Sequence, residues 1–192
     1  LARKRGEVTT LGTLLDPMGG ADIPPSADAT YRWLRLAHHL AQVEPDAAGG
    51  SAALLRRAIE IGRTIDRLLV EDVAPLDLLS EHVIGIVGDQ AGHWTEATRT
   101  FLKVQQLWIA ELAERGEMDA SARRNALFRH TAEQWRKSSP THPVVAAGVT
   151  SAAPALAALL RVVSELPRGA VILPDLDLAL EPAVWDALGV AG

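Results

Sequence analysis

Cysteine is absent from all 192 residues, which excludes disulfides, thiolate metal ligands, iron–sulfur ligation and a cysteine nucleophile within this chain. That absence fits an intracellular protein. The chain also has no excess of positive charge: 19 Lys and Arg face 24 Asp and Glu, for a net charge of −5. A protein that coats nucleic acid nonspecifically needs clustered cations to release counterions, so any DNA contact here is expected to be local. Long apolar runs are missing too. The longest, Val144 to Leu160, is broken by Gly148, Thr150 and Pro154 and falls short of the roughly 18 residues of a membrane span. The expectation is a soluble, cytoplasmic chain that does not enter a membrane. It begins at Leu1, in LARKRG, and is read as a piece of a longer protein.

What is present suits a folded domain. Hydrophobic residues make up 48% and charged residues 22%, near the ordinary globular balance and far from disorder. The length allows one sizeable domain or a helical unit plus part of a second.

Periodicity divides the chain into three stretches, 1–25, 26–138 and 141–192. Arg5 to Leu15 has room for one short strand, centred on Val8 to Thr10, followed by a loop rich in Pro and Gly up to Pro25. Ser26 is a plausible N-cap for a first helix in which Trp33, Leu36, Ala37, Leu40 and Val43 share a face, with Arg32, Arg35 and Gln42 off it. Ser51 can cap a second, with Leu54, Ala58, Ile61, Ile65 and Leu68 as its apolar stripe and Arg56, Arg57, Glu60, Arg63 and Arg67 on the wet side. Pro75 opens a short third helix through Leu78, Leu79, Val83 and Ile84. Trp94, Ala97, Phe101, Val104, Trp108 and Leu112 mark a long fourth helix stopped by Gly116. A fifth, capped by Asp119 or Ser121, puts Asn125, Phe128, Ala132 and Trp135 on one side before Ser138, Ser139 and Pro140 break it.

From Thr141 the pattern changes. Val144 to Val149 reads as a buried strand, Thr150 and Ser151 as a turn capping a helix through Glu165, and Ala170 to Leu173 as a second buried strand. Strand, helix and strand within about 30 residues make a βαβ unit with parallel strands. The fold class is therefore mainly α with an α/β portion: a helical bundle joined to a βαβ fragment of a parallel sheet. Two strands alone are too few for a stable sheet, so further strands, from outside the segment or from Val8 to Thr10, are expected to complete it.

Two stretches carry a family resemblance. In THPVVAAGVTSAAPALAALLRVVSELPRGAVILPDLDLAL, Thr141 to Leu180, His142 to Gly148 and Leu166 to Pro174 resemble a strand and a following Leu-Pro-Arg-Gly segment of the alphaproteobacterial AddB family. Thr9 to Ala41, with TTLGTLLD and IPPSADATYRWLRLAHHLA, is similar to the family's Leu-Gly element, Pro-rich loop and Arg/Leu-rich helix. Val149, Ser151, Ala153 and Asp175 depart from the usual residues. AddB proteins are the helicase-like and nuclease subunits of the AddAB complex. The resemblance implies that 26–138 is like a helical insertion and Val144 to Leu173 the return into a helicase-core sheet. It further implies an AddA-like helicase–nuclease partner in a heterodimer, DNA as substrate, and ATP and Mg²⁺ in the parent complex, with no cofactor held by this segment.

The candidate chemistry is sparse. No G-x-x-x-x-G-K-[ST] phosphate loop occurs, and an independent nucleotide-binding enzyme would need one. The turn Gly148-Val149-Thr150-Ser151 precedes a helix N-terminus. There Thr150 and Ser151 either contact an anion such as a DNA phosphate or simply cap the helix. Asp175 and Asp177 follow the second strand where α/β enzymes often place metal carboxylates, but a solvated turn is the better reading, and no metal site is assigned. His38, His39, His82, His93, His130 and His142 have no ligand spacing and are read as surface or capping residues. No catalytic residue is assigned either. The most basic local region is the fifth helix, with Arg123, Arg124, Arg129, Arg136 and Lys137 as candidate DNA contacts beside Phe128 and Trp135. The cations spread around the polar side, so a solvated face over a buried Trp competes with that reading. Leu1 to Arg5 is a second basic cluster, read as a frayed terminus. A helical adaptor that binds protein and never meets DNA is the alternative from a different class.

Overall fold

The computed structural model describes residues 23–45, 50–151, 153–174 and 179–190. The strand expected at Val8 to Thr10, the basic cluster Leu1 to Arg5, and Asp175 and Asp177 lie outside them. The described elements are α1 (Ala29–Val43), α2 (Ser51–Glu71), α3 (Glu81–Val87), α4 (Ala91–Arg115), α5 (Ala120–Lys137), β1 (Val144–Ala147), α6 (Pro154–Glu165), β2 (Gly169–Ile172) and α7 (Pro182–Val190). Short 3-10 turns at Pro75–Leu79 and Gly88–Gln90 flank α3. The protein is thus mostly helical with a small two-stranded parallel sheet, as the patterning implied. No helix of the described residues is long and apolar enough to cross a membrane.

The helix ends follow local chemistry, with corrections. Asp28, not Ser26, caps α1: its carboxylate accepts from the Tyr31 amide at 2.8 Å, the N-cap to N3 bond. Ser26 instead belongs to a short bridge to Met118, in which Ala27 N donates to Met118 O at 2.9 Å and Met118 N to Pro25 O at 3.0 Å. Gly50 caps α2 without a side-chain bond, so Ser51 is the first helical residue. At the other end Asp72 turns left-handed with φ 58°, a conformation Asp tolerates better than most side chains. Gly116, φ 63°, ends α4, where the missing Cβ removes the penalty of a left-handed residue.

Two apolar clusters hold these elements. The first joins α1, α2 and α4 through Leu36, Leu40, Ala58, Ile65, Val104 and Trp108, and each of α2 and α4 packs along α1. The second joins α5, α6 and β1 through Phe128, Ala132, Trp135, Leu159, Val162 and Ala146. The fifth helix therefore shares its core with the α/β portion. It meets α2 as well, and Asn125 Nδ2 donates to the Leu69 carbonyl at 2.6 Å.

β1 and β2 pair in parallel with Val144 opposite Gly169, Val145 opposite Ala170, Ala146 opposite Val171 and Ala147 opposite Ile172. Their burial departs from the sequence reading. Both strands were expected to be buried throughout, yet exposure alternates: Val144, Ala146 and Val171 face the helices, while Val145 and Ile172 are 58% and 57% exposed. The strands are apolar on both faces because their sequence suits a doubly covered sheet, and only one face is covered by the described residues.

Candidate functional site

The five basic residues singled out on α5 do not converge. Arg123 is half-buried and its Nε donates to Pro24 O at 3.2 Å. Arg129 pairs with Asp72 at 2.7 Å across an exposed gap. Arg124, Arg136 and Lys137 are exposed. Phe128 and Trp135 lie in the second core, 6% and 4% exposed, so neither ring is available to stack a base. The α5 surface therefore offers scattered positive charge.

The turn before α6 presents Thr150 and Ser151 to solvent. Gly148 has φ 70°, which lets the chain leave β1 sharply. The position expected for a Thr or Ser cap is taken by Ala153, and Ser151 Oγ instead accepts from Ala153 N at 3.3 Å.

Sequence reasoning missed two polar assemblies. In the first, Arg32, placed on the wet side of α1 by periodicity, is buried at 8% exposure. Its Nε lies 2.6 Å from Asp119 Oδ1, a close ion pair without the directed geometry of a hydrogen bond. Its terminal nitrogens donate to Asp66 at 3.0 and 3.2 Å and to Gly62 O at 3.2 Å. Trp108 Nε1 donates to both Asp119 oxygens at 3.2 Å, and Ser121 Oγ to Asp66 at 3.0 Å. Burial pushes the Asp119 pKa above the usual carboxylate range, against the charge of Arg32 and the Trp108 bond. Trp33, assigned to the apolar face, is 40% exposed instead. Partners 34 and 87 residues away decide this, and local period cannot show them.

The second assembly centres on Glu111 of α4. It accepts from Arg35 Nε at 2.8 and 2.9 Å, from the Tyr31 hydroxyl, and pairs with His39 Nε2 at 2.8 Å. Burial opposes the Glu111 charge, but the bonds from Tyr31, Arg35 and His39 and the charge of Arg35 outweigh it and hold its pKa low. Arg115 lies 4.2 Å over the Tyr31 ring. His39, read as a surface or capping residue, is buried. The cluster bolts α1 to α4 and lines an open cleft of about 410 Å³.

A larger trough of about 650 Å³ runs between α2 and α4. Glu44, at the end of α1, lines it as well. Burial works against the Glu44 charge, while hydrogen bonds from Thr100 and Arg57 and the charge of Arg57 prevail and lower its pKa. Arg57 reaches Glu44 at 2.7 Å, and Arg63 reaches Glu60 at 2.6 Å. The α2 arginines were legible as a wet face; the wall that α4 supplies was not.

No protein-family model, curated protein or solved structure matches this chain.

Proposed function

We propose that this chain is part of the helicase-like region of an AddB-type subunit. With an AddA-like partner, that cytoplasmic subunit would use ATP and Mg²⁺ to process broken duplex DNA for recombination. In this reading the segment is scaffold and a wall of the DNA path, without a catalytic site of its own. The observation that carries it is the sheet: a parallel β1–α6–β2 unit, attached to a helical body, with an apolar outer face open at Val145 and Ile172. A helicase-core sheet interrupted by a helical insertion would leave such a remnant, and the residues resembling AddB, His142 to Gly148 and Leu166 to Pro174, span its two strands.

Arg124, Arg136 and Lys137 are the residues best placed to meet a phosphate backbone, being exposed cations on α5. The test is fluorescence anisotropy of the purified chain with an oligo(dT) of about 20 nucleotides across a salt titration. Binding that weakens with salt and is lost when all three become Glu supports the reading. The same preparation should neither hydrolyse ATP nor cleave DNA, and robust turnover of either counts against it.

One observation favours the adaptor reading, in which the surface serves proteins alone. Arg123 and Arg129 are engaged within the fold, by Pro24 O and Asp72. Absence of oligo(dT) binding at low salt would select that alternative.

A further inference from the structure

We propose that the trough between α2 and α4 is a docking site for an acidic amphipathic helix supplied by a partner protein. α2 and α4 each pack along α1, and direct contact between α2 and α4 is slight. Three helices so arranged leave the fourth quarter of a four-helix bundle vacant, and a helix laid there would complete it. The floor is apolar: Ile59 and Ile61 from α2, Ala97 and Phe101 from α4. At about 650 Å³ the space lies within the roughly 300–1,000 Å³ of an ordinary binding cleft.

The rim sets the sign of the occupant. Arg56, Arg57 and Arg63 line it together with Glu44 and Glu60, three cations against two carboxylates. Arg56 has no carboxylate partner among the described residues, the Arg63–Glu60 pair is exposed on both sides, and the Arg57–Glu44 pair is half-buried at Glu44. Exposed pairs contribute little, so the Arg63 guanidinium can turn to an incoming carboxylate at small cost, and Arg56 is already open to one. A helix with aliphatic residues at i, i+3, i+4 and i+7, flanked by Glu or Asp, matches floor and rim together. Single-stranded nucleic acid matches less well, because base stacking needs an open ring face and Phe101 is only 7% exposed. The inference is independent of the DNA-path reading, whose cations lie on α5.

The probe is a fluorescein-labelled, end-capped peptide with Leu at the four anchor positions and Glu on the flanks. A counterpart with Lys for Glu and an oligo(dT) serve as comparisons. The full chain should bind the Glu peptide, and Arg56→Glu/Arg63→Glu, whose helicity is checked by circular dichroism, should weaken that binding about tenfold or more. Methyl NMR should place the shifts at Ile59, Ile61 and Ala97. Equal binding of the Lys peptide overturns the proposal, as does unchanged affinity in the double variant. So do shifts centred on Ile86 or Ile172, which are exposed elsewhere. Displacement of the peptide by oligo(dT), with the same methyls moving, would make the trough a nucleic-acid surface and overturn it as well.

Discussion

Asp119 stands at the N-cap position of α5 yet sends its carboxylate inward, 2.6 Å from the Arg32 Nε of α1, instead of capping its own helix. Both side chains are nearly sealed, at 10% and 6% exposure. Trp108 of α4 and Asp66 of α2 complete the contact, so one guanidinium ties four helices together.

Breaking that pair from one side leaves a buried charge uncompensated. Arg32→Met should lower stability by about 3–5 kcal/mol, whereas Arg32→Met with Asp119→Leu should recover the larger part, since the stranded carboxylate is then gone. Urea unfolding with an unchanged slope checks this. A double variant as unstable as the single one would show that shape, not charge, is what Arg32 supplies.

The Glu111 cluster predicts an acid-sensitive contribution. Its folded pKa lies below the ordinary 4.5, so its stabilisation is present above the unfolded value and is lost as pH falls through the folded one. Glu111→Gln should therefore be less stable than the parent at about pH 7, with the gap closing below about pH 4. Asp119 acts in the opposite sense: its pKa is raised above the ordinary 3.8, so protonation favours the folded state. A gap that stays constant from neutral to acid pH would mean that Glu111 contributes packing alone.

The helices were legible because each carries its own stripe: Ala58 and Ile65 in α2, or Phe101, Val104 and Trp108 in α4, are buried as their spacing implies. The parallel pairing of β1 with β2 followed from two short apolar runs around a helix. What could not be read is nonlocal. Arg32 sorts as a surface residue by type, and only the arrival of Asp66 and Asp119 makes its burial tolerable. The trough is equally silent in sequence, because its floor is shared by helices whose lining residues are more than 30 positions apart.

Two glycines should respond differently to the same change. A Cβ on Gly169 would sit 1.8 Å from the Val163 carbonyl and 2.9 Å from Leu166 Cβ, so the turn from α6 into β2 has to open. Gly169→Ala should cost about 3 kcal/mol or more. Gly148 has open space around it but φ 70°, so Gly148→Ala should cost only about 1 kcal/mol, the strain of a left-handed alanine. Thermal unfolding followed by circular dichroism compares them. Equal losses would mean that the turn into β2 opens easily and the close approach at Gly169 costs little.

The bare face of the sheet makes the last prediction. Val145 and Ile172 expose more than half their surface on two strands that, among the described residues, have only each other as partners, and an apolar strand pair with open edges is a template for further pairing. The purified chain should associate increasingly with concentration in light scattering. Val145→Lys with Ile172→Lys should hold it monomeric while changing stability by no more than about 0.5 kcal/mol, the usual range of surface substitutions. If the double variant instead loses as much stability as a core truncation, that face is already covered within the folded chain. The sheet would then be complete, and the strongest support for placing it in a larger helicase-like domain would be gone.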